Sequence, residues 1–453
     1  MKSKYNIMLK CDDKLILFNS LTKRMISVSN KYVDEFKKVL ENENSHHSAF
    51  GELCDFGFII TDKIHMEEEY VEEEYKKVCL GKTRLNVIIL PTYKCNFRCT
   101  YCYESFPDVS MTKQTADQVY KFVEKLLNDY SSLEISWFGG EPMLEMDTIV
   151  YLSEKFKKLC KIQKKSYIAN ITTNGYLLTL ENFKILLKCN IRTFQITIDG
   201  LKSTHDFYRH LENGDETYDT IIRNLKTISD NIKTGLFQIV IRTNITRELE
   251  KEIDSHISCI NEHFGHDIRF KHVSRIAFSY KNSDIKPQLY NTEDYINSSF
   301  SKLPETVINS GNCSHFINSF KDFLNGQAFV CYAGKQSSLV IDPKGLLMKC
   351  TVCLDEDVNI IGDIWNGINE SRLNKWLVRE ENVYCDCNCI HCKIYPICFG
   401  VSCPFDRFGE KHNQEKCINR NKDVLLYIKT LSQDSSICKN IDHYFQIATE
   451  GNP

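Results

Sequence analysis

Cys95, Cys99 and Cys102 stand in the stretch Cys95-Asn96-Phe97-Arg98-Cys99-Thr100-Tyr101-Cys102, a CxxxCxxC spacing that directly follows the apolar run 86–90. Four thiolates close the coordination of a four-iron cube. Three leave one iron open, as a catalytic metal keeps a position for its substrate. An open iron beside the aromatic Tyr101 suits a cluster that binds and splits a ligand. A zinc knuckle or three unrelated core cysteines are the competing readings, and the strand end just before the motif favours the cluster. Downstream, Phe138-Gly139-Gly140-Glu141-Pro142 pairs two glycines, which allow close backbone approach to a ligand, with a carboxylate suited to an ammonium group. In Asn170-Ile171-Thr172-Thr173-Asn174-Gly175 the two-residue strand period puts Asn170, Thr172 and Asn174 on one face; ordinary strand-end turn polarity accounts for any one of them equally well. Asp199, in Thr197-Ile198-Asp199-Gly200, offers an acceptor, and Arg209 offers either a bidentate grip on a carboxylate or a tie for its own loop.

The elements that must position these residues alternate strand and helix six times over 86–276. Strands are expected at 86–91, 133–138, 167–173, 193–198, 237–243 and 268–274. Helices fit 114–128, 147–161, 181–188, 217–231 and 249–262. Alternating units of this kind imply parallel strands with right-handed crossovers. Chemistry in such barrels gathers at the C-terminal strand ends, where all these motifs fall.

Composition sets the class. The chain has 453 residues, 42% hydrophobic and 26% charged, with net charge −3. That describes a soluble globular protein of two or three domains without a footprint for nucleic acid or an anionic membrane. No eighteen-residue apolar run is present, and the N-terminus lacks a signal core, so a cytoplasmic location is expected. Cysteine is the outlier at 21 residues, eleven of them from Cys331 onward. In a long chain without a signal, this favours metal binding over disulfides and predicts oxygen sensitivity.

Residues 1–80 read as a separate module: strands near 5–8, 15–19 and 24–28, helices at 30–40 and 48–54, and a further strand at 58–61. The acidic stretch 65–77 reads as a charged helix with a solvated face. Residues 287–326 are polar and weakly periodic, a bridging segment. In the C-terminal part, Cys331 is followed by Gly345 and Cys350. Cys389, Cys392, Cys398 and Cys403 then follow at x2, x5 and x4 spacings, and Cys417 is last. Zinc ribbons are the competing reading of CxxC pairs.

Three resemblances follow from these motifs. CxxxCxxC with aromatic Tyr101, together with the GGEP, TTNG and "DG…HDxxR" stretches, resembles the radical S-adenosylmethionine (SAM) superfamily. The resemblance implies a partial (β/α)6 TIM-like barrel over 81–285, in which Cys95, Cys99 and Cys102 hold a [4Fe–4S] cluster. SAM contacts are expected from Tyr101, Gly139, Gly140, Glu141, Asn170, Thr172, Asn174, Asp199 and Arg209. The C-terminal cysteines resemble a SPASM domain, here 331–453 after a bridge at 286–330, with one extra residue before Cys403. By that family's connectivity Cys389, Cys392, Cys398 and Cys417 hold one auxiliary [4Fe–4S] cluster, and Cys331, Cys350 and Cys403 the other. The fourth ligand of the latter is Cys353, Cys313, Cys385 or Cys387, or the site is open; Cys353 is preferred. Residues 1–80 resemble the winged-helix-like leader-recognition domain of ribosomal-peptide maturases, which takes up an extended leader as an added strand.

Together these imply an enzyme with SAM and three [4Fe–4S] clusters, a precursor peptide with a leader as partner, and flavodoxin or ferredoxin as reductant. The expected reaction is thioether cross-linking after hydrogen abstraction by a 5′-deoxyadenosyl radical. The rivals are an anaerobic sulfatase maturase, which forms formylglycine, and a peptide C–C cross-linking enzyme. The sulfatase branch generally lacks the N-terminal module and carries an acid where this chain has Thr351.

Overall fold

A computed structural model describes residues 1–41, 45–60, 65–277, 330–377, 389, 392–401, 403–405, 408, 424–425, 427–429 and 431–449. The chain divides into two compact units. One comprises Met1–Leu80, Ser298–Lys335 and Lys375–Pro453; the other comprises Gly81–Asn297 and Gln336–Asn374. The stretch from Cys331 onward thus contributes to both.

In the first unit β1 (Asn6–Lys10), β2 (Lys14–Asn19) and β3 (Met25–Ser29) form an antiparallel meander. The run Leu15-Ile16-Leu17-Phe18 is buried throughout because the sheet is covered on both faces. Leu15, Leu17, Ile26 and Val28 meet Phe36, Val39 and Leu40 of α1 (Val33–Leu40) and Leu53 of α2 (Phe50–Asp55). Ile16, Phe18 and Met25 face the other way, onto Ile394, Ile397, Val424 and Ile428. A third helix, α3 (His65–Cys79), carries the acidic stretch. The strand expected at 58–61 is reduced to one antiparallel bridge, Lys2 to Ile59, and residue 61 lies outside the described residues. The fourth strand comes instead from Cys438–Asn440, parallel to β3.

In the second unit β4 (Arg84–Ile89), β5 (Ser132–Trp137), β6 (Ser166–Thr173), β7 (Ile191–Thr197), β8 (Gln238–Ile245) and β9 (Phe270–Ile276) lie side by side in chain order, all parallel. Between them run α4 (Lys113–Leu127), α5 (Met146–Ile162), α6 (Leu180–Lys188), α7 (Lys202–Tyr208), α8 (Tyr218–Asn231) and α9 (Ile253–Phe264). These match the sequence reading within a few residues, apart from α7, which the periodicity did not announce. Local signals set the helix starts: Thr112 and Thr179 cap α4 and α6, accepting from Thr115 N–H (3.1 Å) and Asn182 N–H (3.2 Å).

Parallel sheets are ordinarily apolar on both faces, and this one is not. Leu85, Val87, Ile135, Trp137, Ile171 and Phe194 are buried on one face, while Asn86, Ser136, Asn170, Thr172 and Gln195 alternate with them and are half-buried. The two-residue period and the register Ile88–Ser136–Asn170 align these polar side chains across neighbouring strands. Beyond β4 the sheet continues with β10 (Ser338–Ile341), parallel to it, then antiparallel β11 (Leu346–Met348), β12 (Ile360–Asp363) and β13 (Gly367–Ile368).

Candidate active site

The cysteine loop leaves the C-terminal end of β4 and is held along its backbone. Arg98 N–H donates to His210 O (2.9 Å), Thr100 N–H to Tyr208 O (3.0 Å), and Asn96 O accepts from Glu212 N–H (3.0 Å). Phe97 forms a bridge with Leu211. Three thiols are brought together this way, near enough for Cys99 and Cys102 each to disfavour ionisation of Cys95. Burial is the main effect and pushes all three thiols up, Cys102 to about 12. Opposing it, the Arg209 guanidinium draws Cys99 and Cys102 down. Phe97 N–H points at Cys95 Sγ (3.4 Å), and Glu104 N–H bonds the Cys102 thiol.

These thiols fit a cluster. A desolvated thiolate triad needs positive charge among the sulfurs, and N–H donors aimed at sulfur are how a protein tunes bound iron. Arg209 is itself buried, and its Nε finds no hydrogen-bond partner. Among the described residues no three His, Cys, Asp or Glu side chains converge as one ion requires; a cube takes each thiolate on a different iron and asks for no such convergence.

The glycine pair packs against the cysteine loop. Gly139 has φ +112°, and a Cβ there would lie 2.5 Å from Thr92 O; at Gly140 it would run into the Lys94 and Tyr93 carbonyl oxygens. The backbone these glycines admit is the cysteine loop itself. Glu141 is fully buried, and its carboxylate is already engaged. Oε1 accepts from Met143 N–H (3.0 Å) and Thr173 Oγ1–H (2.8 Å), and Oε2 from Asn174 N–H (2.7 Å). Burial raises its pKa despite these donors.

At the end of β6 the expected polar trio separates. Asn170 Nδ2 donates to Glu134 Oε1 (3.1 Å), whose Oε2 meets Arg84 (3.1 Å). Thr172 is half-buried on the polar face, in register with Gln195. Asn174 lies past the strand and joins the cysteine loop, Nδ2 donating to Asn96 Oδ1 (2.8 Å).

Asp199, Tyr101 and Arg209 form one knot. The Tyr101 hydroxyl donates to Asp199 Oδ2 and accepts from Arg209 (2.6 Å) and Asn244 Nδ2 (3.2 Å). Asp199 Oδ1 accepts from Asn244 N–H (2.6 Å), and Arg209 stands 3.8 Å from its other oxygen. Burial raises the Asp199 pKa, and Arg209 works against that rise. His205 is fully buried and held neutral by that burial. It accepts from Asp199 N–H (3.2 Å) and meets Thr217 Oγ1 (3.2 Å), which donates to Arg209 O (2.6 Å). Asn96, Asn244, His205 and Thr217 are thus site residues beyond those the sequence reading assigned. Asn96 in the cysteine stretch and His205 in the HDxxR stretch stood in motifs already in view, and Asn244 ends the fifth strand; Thr217 carried no such signal.

Of the C-terminal cysteines, the first unit holds Cys331, Cys389, Cys392, Cys398 and Cys403. Cys331 N–H donates to Val401 O (3.0 Å), Cys392 N–H to Cys389 O (2.9 Å), and Gly400 N–H to Cys398 Sγ (3.5 Å). Cys350 and Cys353 lie in the second unit, after β11. Gly345, at φ +85°, makes the β10–β11 turn that Asp342 caps through Lys344 N–H (3.0 Å) and Leu346 N–H (2.6 Å). Cys313, Cys385, Cys387 and Cys417 lie outside the described residues.

Residues 89–255 match the Radical SAM superfamily. The chain is 26% identical over 273 residues to the radical SAM cyclopropyl synthase TigE of Paramaledivibacter caminithermalis, covering 53% of this chain and 56% of that one. It is 23% identical over 365 residues to a cysteine-type anaerobic sulfatase-maturating enzyme of Clostridium novyi, covering 73% and 89%. The chain spans about half the length of TigE. Two solved structures share the fold. anSMEcpe with bound AdoMet and a peptide has TM-score 0.57 and 18% identity over 76% of this chain and 98% of its own. Streptococcus suis SuiB with its precursor peptide SuiA has TM-score 0.50 and 15% identity over 88% and 94%. Among the described residues no helix is long and apolar enough to cross a membrane. Residues 89–255 are a radical SAM domain, an enzyme domain built around SAM and a [4Fe–4S] cluster, on a TIM-like parallel sheet.

Proposed function

We propose that the protein modifies a ribosomally made precursor peptide, most simply by thioether cross-links from cysteine sulfur to carbon. Cys95, Cys99 and Cys102 would hold the cluster, which with SAM bound and a flavodoxin or ferredoxin as reductant would supply radical hydrogen abstraction. The chain's own residues do the rest. The Gly139–Gly140 contact and the Glu141–Asn174–Asn96 bonds fix the cysteine loop. Tyr101, Asp199 and Arg209 lock its far side to β7 and β8. Thr172 and Asn170, on the polar face, would contact SAM. Auxiliary clusters are assigned to Cys389, Cys392, Cys398 and Cys417, and to Cys331, Cys350 and Cys403, in a cytoplasmic enzyme.

The observation that carries the peptide reading is the N-terminal sheet, which among the described residues ends at β1. Cys11 N–H to Lys14 O and Ser20 N–H to Tyr5 O set the ladder's alternation, so Met8 and Lys10 turn their backbone groups outward. An extended leader adds there as a further strand. Similarity to TigE, and to SuiB with its precursor peptide, supports the same reading. Thr351 favours cross-linking over formylglycine formation, because that branch carries an acid at this place.

The sulfatase-maturase reading has one observation of its own, similarity running along 73% of this chain. A mass spectrum of a cysteine-bearing candidate peptide, after anaerobic co-expression, separates the two. Loss of two hydrogens per link with matching loss of alkylatable thiols supports the thioether. The same loss with thiols intact points to a carbon–carbon link or to serine oxidation, and loss of two hydrogens with one sulfur exchanged for oxygen points to oxidation of cysteine to formylglycine; fragmentation distinguishes these. An unmodified peptide counts against the maturase reading for that substrate.

A further inference from the structure

The cysteine loop pairs with the segment after α7 as a short antiparallel ladder. Glu212 N–H donates to Asn96 O (3.0 Å), Arg98 N–H to His210 O (2.9 Å) and Thr100 N–H to Tyr208 O (3.0 Å), and the Phe97–Leu211 bridge keeps the same register. That register sets Cys99 directly opposite Arg209, between two hydrogen-bonded rungs. A pair at such a position is the closer of the two kinds in an antiparallel ladder, and its side chains lie on one face. Phe97 and Tyr101 share that face by the two-residue period. The guanidinium accordingly stands 5.8 Å from the Phe97 ring centre and donates through Nη1 to the Tyr101 hydroxyl (2.6 Å).

Arg209 is fixed from behind as well. Its N–H donates to His205 O (2.8 Å), and its O accepts from Thr217 Oγ1–H (2.6 Å). It is 8% exposed. Nη1 also stands 3.8 Å from Asp199 Oδ2, whereas the buried Nε–H finds no hydrogen-bond partner among the described residues. Burying a cation with one of its donors unpaired is costly, and here it occurs opposite a cysteine of the CxxxCxxC motif. Burial works against the charge, and the Cys99 thiolate is the strongest group holding it, ahead of Tyr101 and Asp199.

We propose that Arg209 sets the reduction potential of the cluster held by Cys95, Cys99 and Cys102, its charge standing beside Cys99 and its free Nε–H serving cluster sulfur. This role needs no SAM and stands beside the SAM contact that the resemblance implies. Reduction adds one electron, and so one negative charge, to a centre that already carries three thiolates. A buried cation and an N–H donor at sulfur stabilise the reduced form more than the oxidised one and raise the potential. Arg209 is then a positioning residue for charge. The proposal rests on the ligand assignment of the three cysteines and not on the peptide reading.

The test uses the full chain with its clusters assembled anaerobically and no SAM. Electron paramagnetic resonance follows one-electron reduction by a europium(II) chelate as a function of potential. The signal that is read is the one missing when Cys95, Cys99 and Cys102 are all replaced by alanine. Arg209→Gln is expected to lower its midpoint by at least about 59 mV, a tenfold change in the ratio of oxidised to reduced cluster at fixed potential. Arg209→Lys keeps a charge but loses the planar fork, and is expected to lower the midpoint by less. Arg223→Gln removes an exposed arginine of α8 and should leave the midpoint in place. An unmoved midpoint in Arg209→Gln, or an equal fall in Arg223→Gln, overturns the proposal. If Arg209→Gln takes up no cluster, Arg209→Lys decides: a lowered midpoint supports the proposal, and the parent's midpoint overturns it. If no signal is missing from the alanine-replaced chain, the ligand assignment falls along with the proposal.

Discussion

Tyr101 is the residue on which the site closes. Its ring lies between Cys99 and Cys102 in the chain, and its hydroxyl joins a buried carboxylate, a buried guanidinium and the Asn244 amide. Removing that oxygen leaves Asp199 and Arg209 short of a partner in a desolvated place. An unsatisfied buried polar group costs about 1–3 kcal/mol, more when charged. Tyr101→Phe is therefore expected to lower the melting temperature and to release iron from the SAM cluster faster, read as decay of the cluster's visible absorbance under nitrogen. Equal decay in the variant and the parent would show that the hydroxyl does not hold the loop. Glu141 was expected at the amino group of SAM. Its carboxylate accepts from Met143 N–H, the Thr173 hydroxyl and Asn174 N–H, tying β5's end to β6's.

At the scale of elements, the cysteine loop and the loop after β5 interlock, and Gly140 is where they touch. A methyl group there meets the Lys94 and Tyr93 carbonyls, which are backbone and cannot rotate away. Gly140→Ala is expected to abolish reductive cleavage of SAM and to remove the iron of one cluster, about a third of the total if three cubes are present. Iron analysis beside a cleavage assay checks this; full iron with full cleavage would refute the interlock.

A second element-scale prediction concerns α9. His256, on its inner face, shares the Thr243 hydroxyl with His272 of β9 (2.8 and 2.9 Å). Burial lowers the His256 pKa to about 4, against the pull of Glu252. Its folded-state pKa lies below the unfolded value, so the unfolded chain binds the extra proton. Its contribution is complete above pH 6.5 and is lost as pH falls toward 4. Between pH 7 and 5 this one group removes about 2 kcal/mol. The fall in melting temperature over that interval should shrink in His256→Gln, whose amide still donates to Thr243. An undiminished fall would assign the acid sensitivity to other groups.

For the whole molecule, the N-terminal module is not a detachable cap. Its sheet buries Ile16, Phe18 and Met25 against the segment around Ile394 and Ile397, and its β3 edge is covered by Cys438–Asn440. Deleting residues 1–80 would expose that apolar surface, so leader binding is better tested by a point change at the remaining edge. Met8→Pro removes an outward N–H from β1. It is expected to weaken binding of a leader peptide at least tenfold by fluorescence anisotropy, while SAM cleavage without peptide stays within about twofold, because one lost strand bond and a disturbed edge together exceed about 1.4 kcal/mol. Unchanged leader affinity would move the docking edge elsewhere.

What the sequence determined by itself was whatever depends on neighbours in the chain. The CxxxCxxC spacing, the two-residue polar alternation and the six strand–helix units are short-range patterns, and, α7 apart, the strands and helices from Leu85 to Ile276 fell within a few residues of expectation for that reason. Tertiary structure decided the rest. The parallel pairing of Ser27 with Asn440 joins residues more than 400 positions apart, and no local propensity encodes such a partner. The same holds for the glycines that admit their own loop and for the bonds that hold Glu141. A hydrogen-bonding side chain declares its capacity in the sequence, but its partner is chosen only when packing has excluded water and left one donor or acceptor within reach.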